Sequence, residues 1–493
     1  MLRHRLTLAV LLAVTTAALA ARQEMVDKAM VERIRSEGLQ RSKAGEFFNH
    51  FVTVDGPRLT GSPAHKAAAE WARQQFASMG LQNARLDPFE FGRGWELTRL
   101  TIEMTAPRYM PLIGYAEGWS APTAGVIEAA PLFIGDKTAD QVEANMAALK
   151  GAIVLTQPLQ TAFVRADRDQ PATASAPVRI GAPPMPSSSR NQADQRRIAQ
   201  ALRTAGAGVV IRANAGEHGT MFVLGRDAGQ DAQPSIILAA EHYNMLARMI
   251  AAGMPVKLRV EIGAKYFEAD RNTYNVLAEI PGTDPKIKDE VVLVGGHLDS
   301  WHSAPGATDN ADGAATVLEA ARILSTLGAR PRRTIRFALW SGEEQGLLGS
   351  KAYATRYLDG PANAKARDQF DVYFNIDPGT GPVYGWYLQG QPELAPLFDA
   401  WLAPFKDLGA RRNVTDRIGN TDHLSFTALG LPGFNPIQDY VTYDVRTHHT
   451  NMDTFERVTE TDMAQSAAVF ASFAWHAAMR DEKISRPAPT PAR

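Results

Sequence analysis

The 493-residue sequence contains no cysteine. That excludes a disulfide framework, a thiolate metal site and a cysteine nucleophile, so any bound metal must be held by His, Asp and Glu. An excess of one charge is also missing. Lys and Arg number 52 against 53 Asp and Glu, a formal charge of -1, and the basic surplus expected of a nucleic-acid binder is not there. Long apolar runs are nearly absent. The run Leu6 to Leu19 follows Arg3 and Arg5 and leads into Ala18-Leu19-Ala20. It is shorter than the ~20 residues a membrane span needs and reads as a signal peptide over residues 1–20. Its removal takes two positive charges and no acids, so the mature charge is -1 - 2 = -3. The expectation is a secreted or periplasmic protein, with no membrane association after cleavage.

With 45% hydrophobic residues the chain can build real cores, and at roughly 150 residues per domain its length suggests about three folding units, or two larger ones. Residues 21–105 form the first part of the main unit, and the stretch from Ala21 to about Phe91 reads as helical. Ser62-Pro63 looks like a cap with proline at the first helical position, and Gly80 like a stop. Between 106 and 265 short β-rich runs (Gly151–Leu155, Val209–Ile211, Ile236–Leu238) alternate with helical ones, which predicts a smaller α/β module of its own. Inside it, Arg168 to Arg190 is rich in Pro, Ser and Ala and is expected to be a mobile loop. Residues 266–484 return to the main unit, and 485–493 are expected to be disordered. Near-continuous apolar strands at Val291–Val294, Thr334–Trp340 and Val372–Ile376, separated by helices, imply an α/β fold: a mixed, mostly parallel sheet flanked by helices.

Chemistry gathers just past those strands. The first ends in Gly295-Gly296-His297-Leu298-Asp299, the second in Ser341-Gly342-Glu343-Glu344, the third in Asn375-Ile376-Asp377. Asp309 lies twelve residues after His297, and a late segment reads His448-His449-Thr450-Asn451-Met452-Asp453. In open α/β sheets ligands bind at the carboxyl ends of the strands. Acids and a histidine on three successive strand ends there suit a divalent cation, for which zinc is the common hydrolytic choice. Asp299, two residues after His297, is placed to orient the imidazole. Asp312 is expected to cap the helix that follows, His302 to face solvent or substrate, and His423 in Thr421-Asp422-His423 to line the pocket or to support the site.

The strings GGHLDS, PGATDNADGAATVLEAARIL, RTIRFALWSGEEQGLLGSKAYA, NID, TDHLSF and HHTNMDT resemble the M28 family of dizinc exopeptidases. The resemblance covers most of residues 30–105 and 270–480, and it extends to the carboxypeptidase Q branch and to bacterial aminopeptidases. The intervening module resembles a protease-associated domain. The resemblance implies two Zn2+ per chain: His297 and Asp377 would hold one, Glu344 and His449 the other, and Asp309 would bridge them. Glu343 would be the general base. Asn310 would follow a cis peptide, and Asp299, Asn310, Asp422 and His423 would support the ligands or meet substrate. Many relatives have Tyr where this chain has His448, which would then stabilise the oxyanion with a charge that varies with pH. The implied activity is hydrolysis of dipeptides or of terminal residues of short peptides, carboxypeptidase-like or aminopeptidase-like, by a chain that could form a homodimer. Arg411, Arg412, Arg417 and Arg446 are candidates for a substrate carboxylate. A single-zinc transferase of the glutaminyl-cyclase kind is the alternative on the same fold.

Overall fold

The computed structural model describes residues 26–169, 184, 190–377 and 379–487. The leader, most of the 168–190 loop and the end of the tail therefore lie outside the described residues. Seven strands form the main sheet: β1 (Gln82–Glu90), β2 (Asn272–Ile280), β3 (Val291–His297), β4 (Thr334–Trp340), β5 (Phe370–Asn375), β6 (Thr380–Tyr387) and β7 (Gly433–Asp439), in spatial order β1-β2-β4-β3-β5-β7-β6. The four central strands β4, β3, β5 and β7 run parallel, and the outer pairings are antiparallel. The fold is thus mixed α/β with a parallel centre.

The expected helical stretch from 21 to 91 holds for Lys28–Gln40, Ala44–Asn49 and Pro63–Ser78, and Ser62 does cap the third through its side chain. It fails at residues 82–90, which pair antiparallel with β2. Pro88 lacks the N–H that a central strand needs, and β1 accordingly takes the edge of the sheet. Both faces of the sheet are covered. The helix Glu460–Met479 is buried from Met463 through Ala478 and packs against Asp312–Thr326 and Lys28–Gln40, as its nearly unbroken apolar circumference requires. Among the described residues no helix is long and apolar enough to cross a membrane.

The remaining strands form two further sheets. The strand Gly94–Ala106 lies in the first, paired along its length with Lys257–Phe267. The second is a five-stranded sheet with parallel strands Ile153–Leu155, Val209–Ala213 and Ser235–Leu238; the helix Gln192–Ala205 joins the first two and Ala240–Ala251 follows the third. These two sheets share an apolar core separate from that of the main sheet.

Candidate metal centre

Strand register brings the chemistry together. In the parallel centre, His297 lies opposite Trp340 and Gly295 opposite Asn375. The residues just past β4 and β5 therefore reach the same edge as His297. Asp309 comes from the turn Ala307–Ala311 that feeds the helix Asp312–Thr326. His449 comes from the segment after β7, with φ +62°.

The side-chain geometry divides at Asp309. Its Oδ1 lies 3.1 Å from His297 Nε2, and its Oδ2 lies 3.4 Å from His449 Nε2. His297 Nε2 is also 3.7 Å from Asp377 Oδ2, and His449 Nε2 is 2.8 Å from Glu344 Oε2. All five expected ligands thus converge. Glu343 joins His297 and Asp377 within 4.8 Å, and His448 joins Asp309 and His449 within the same limit. His448 is therefore offered as a ligand as well as a donor.

A cation fits this donor set. His297 Nε2 and Glu344 Oε1 are buried without hydrogen-bond partners, a costly arrangement unless something else satisfies them. Imidazole and carboxylate together suit zinc. Electrostatics point the same way. Burial raises Glu343 well above the usual carboxylate range, with Asp377, Asp422 and Glu344 adding to it. Burial likewise lifts Glu344, Asp422 and Asp453 to about 7. Against the cost of burial, Asp377 and the other facing carboxylates hold His297 well above its ordinary value, and Glu344 helps lift His449 to about 9. So many mutually repelling carboxylates are what a centre built around positive charge requires.

The surrounding residues hold this geometry in ways the spacing did not reveal. His297 Nδ1 is 3.0 Å from the Asp299 backbone carbonyl and 3.6 Å from its carboxylate. The Asp299 carboxylate also accepts from the amides of Glu343 (3.2 Å) and Glu344 (3.3 Å) and from the Thr60 hydroxyl (2.9 Å). It positions the base and the ligand together. The Asp309–Asn310 peptide is cis, and Asn310 Nδ2 donates to Ile376 O beside Asp377. Glycine at 296 permits that approach, since a Cβ there would lie 2.9 Å from Ile376 O and 3.3 Å from Asn310 Nδ2.

Several contributors were missed. Asp453 accepts from the amides of Thr308 (2.8 Å) and Asp309 (3.1 Å), and its place in HHTNMDT was the available signal. Trp301 Nε1 donates to Glu344 Oε2 at 2.8 Å. Arg58, fully buried, donates to five carbonyls, those of Phe51, Gly56, Leu298, Pro305 and Gly306. Tyr443 is buried with its hydroxyl unpartnered, its ring stacked on His448 at 5.2 Å.

Two expectations need correcting, those for Asp312 and for the charge on His448. Asp312 does not cap its helix: the cap position is Ala311, and the Asp312 carboxylate accepts from Gly313 N. His302 is half-buried. Its Nε2 lies 2.8 Å from Ala116 O, against the Trp95 ring. His423 is fully buried, with Nε2 3.1 Å from Ile418 O and 3.0 Å from Gln389, and burial depresses it to about 4. Nor does His448 carry a charge that varies near neutrality. Sandwiched between Tyr443 and His449, it is held down to about 3, first by burial and then by His449. Asp422 sits near His297, Asp377 and Glu343, fully buried, with both carboxylate oxygens free of hydrogen bonds.

Comparison with known proteins adds to this geometry. A model of peptidase family M28 matches residues 275–474. Carboxypeptidase Q of Bos taurus is 26% identical over 454 residues, covering 91% of this chain and 88% of that protein. The crystal structure of a peptidase M28 precursor from Shewanella amazonensis SB2B is similar with a TM-score of 0.70 at 25% identity, covering 94% of this chain and 99% of that one. A zinc aminopeptidase from Bacillus subtilis shares the fold with a TM-score of 0.61 at 21% identity, over 90% and 96% of the two chains.

Proposed function

We propose, for a chain that belongs through residues 275–474 to peptidase family M28 and is a metallo-exopeptidase, that it is an exported dizinc enzyme hydrolysing dipeptides or the terminal residues of short peptides. The observation that carries the reading is the division of the Asp309 carboxylate between His297 and His449. His297 and Asp377 would hold one zinc and Glu344 and His449 the other, with Asp309 shared. Bound there, the metals would lower the pKa of a water and polarise the scissile carbonyl. Glu343 takes the attacking water's proton and delivers it to the leaving amine. Asp299, through the two adjacent amides, keeps Glu343 and Glu344 pointing to their separate tasks. Residues 106–265 are read as an inserted module and the leader 1–20 as the export signal.

His448 donates a hydrogen bond to the oxyanion in this reading. His448→Phe then lowers kcat by about 10²-fold, far more than it raises KM. Because His448 is neutral down to about 3, the position of the acid limb in kcat against pH stays the same. Losses confined to KM, or a shifted limb, argue against this role.

Arg446 donates to Glu217 O and to the Thr220 hydroxyl, and Arg411 lies over the Tyr384 ring at 5.1 Å. The carboxylates of Asp377 and Asp422 beside Glu343 would attract a substrate ammonium, which favours the aminopeptidase direction as a second reading. Metal content measured with a panel of dipeptides blocked at either end tests both. Two zinc ions per chain and cleavage that stops on blocking one end are expected. Loss on N-acetylation assigns an aminopeptidase, and loss on C-amidation a carboxypeptidase. A zinc-loaded protein that cleaves none of the panel ends the reading, and one ion per chain favours the cyclase-like transferase.

A further inference from the structure

We propose that Arg168 and Asp444, together with Asn451, are positioning residues for His449, so that the module outside the main sheet sets the cation affinity of the Glu344–His449 half of the centre. This rests on the dinuclear reading above. The two halves are built differently. His297 ends a central strand and is held by the sheet itself. His449 lies two residues past the short π-helical turn Tyr443–Thr447, in the segment 440–453 between β7 and the last helix. Asp453 ties the far end of that segment to the Thr308 and Asp309 amides. Most of its other external anchors lie in the module.

At the His449 end, the His449 carbonyl accepts from Val223 N at 3.0 Å, and Thr450 pairs antiparallel with Phe222. Asn451 N donates to Met221 O at 3.1 Å, its side-chain oxygen accepts from Met221 N at 2.7 Å, and its amide nitrogen donates to Gly219 O at 3.2 Å. At the other end the Asp444 carboxylate accepts from Arg168 Nη2 at 2.7 Å, Nε at 3.0 Å and the Arg168 backbone N at 2.7 Å. Both side chains are buried, 6% and 2% exposed. The guanidinium lies over Tyr440 at 4.6 Å and over Tyr443 at 5.2 Å, and Tyr443 in turn stacks on His448. Asp167 accepts from Thr442 N at 2.7 Å and from Val445 N at 3.0 Å.

The backbone needs these anchors. Thr442 and His449 both adopt left-handed φ, +59° and +62°. Non-glycine residues hold that conformation only where their surroundings over-determine it. Here the bonds from Asp167 and Val223 fall on those two residues. A buried ion pair broken on one side leaves an uncompensated charge, so loss of Arg168 should release the segment rather than merely loosen it.

The test is a Co2+ titration of the full-length, metal-stripped protein followed by visible absorption, in wild type, Arg168→Met, Asp444→Asn and Asn451→Ala. Two binding steps are expected in wild type. In each variant one step weakens by about 10–100-fold, the scale for losing an outer support of a metal ligand, while the other is unchanged. The double variant Arg168→Met/Asp444→Asn should be no worse than the sum of its parts, and added Co2+ should restore the second absorption band. Hydrogen exchange of the metal-free protein gives a readout independent of metal number: amides 442–450 exchange faster in Arg168→Met, and those of β3 do not. Lowered thermal stability with both steps intact overturns the proposal, as does unchanged exchange at 442–450. A wild type with a single step would remove the dinuclear reading, leaving the exchange result to decide the clamp by itself.

Discussion

Glu343→Gln is expected to lower kcat by about 10³–10⁴-fold, near the upper end of what a general base contributes, with both cations retained. The amide keeps the shape of the side chain but cannot take a proton from water. Glu343 is well placed to do so. It lies within the His297–Asp377 group, and its amide is held by Asp299 at 3.2 Å. Burial raises its carboxyl well above the ordinary range in the metal-free site, and neighbouring cations would draw it back down. The base works only when ionised, so kcat/KM rises with pH through its titration, and the residual rate of the variant should lack that limb. Steady-state rates on the best dipeptide, with metal analysis of the same sample, check this. Full turnover would move the base elsewhere. Loss of one cation with activity would make Glu343 a ligand, which its distance from His297 and Asp377 also permits.

Asp309→Asn should reduce cation content from two to at most one and lower activity at least as far as Glu343→Gln. The reason is that a single carboxylate serves both histidines, at 3.1 Å and 3.4 Å, and an amide offers one neutral acceptor oxygen in its place. The metal-free protein gives an independent readout. Although burial opposes it, Glu344 and then Asp309 raise His449 to about 9 in the folded state. A histidine whose folded pKa is raised contributes stability in full below its unfolded value near 6.5. That stability is lost as pH climbs through about 9. Metal-free wild type should therefore resist urea better at pH 6.5 than at pH 9, and Asp309→Asn should show a smaller difference. Equal pH dependence in the two proteins, with two cations still bound to the variant, would remove Asp309 from the shared position.

What the sequence determined by itself is the set of residues and the edge on which they sit. Apolar strands ending in His297-Leu298-Asp299, Ser341-Gly342-Glu343-Glu344 and Asn375-Ile376-Asp377 are legible because strand periodicity and strand ends are local properties. Parallel strands then present those ends on one side. The strand at 82–90 escaped because its alternation is broken by Pro88. Tertiary structure alone decided the rest. It showed that Asp299 also accepts from the amides of Glu343 and Glu344, and that His448 is stacked and neutral. It also revealed that Arg168 meets Asp444 across 276 residues of chain. Hydrogen-bond partners of a loop and the proton affinity of a buried side chain depend on every group nearby in space, whatever its place in the chain. No spacing within a motif carries that information.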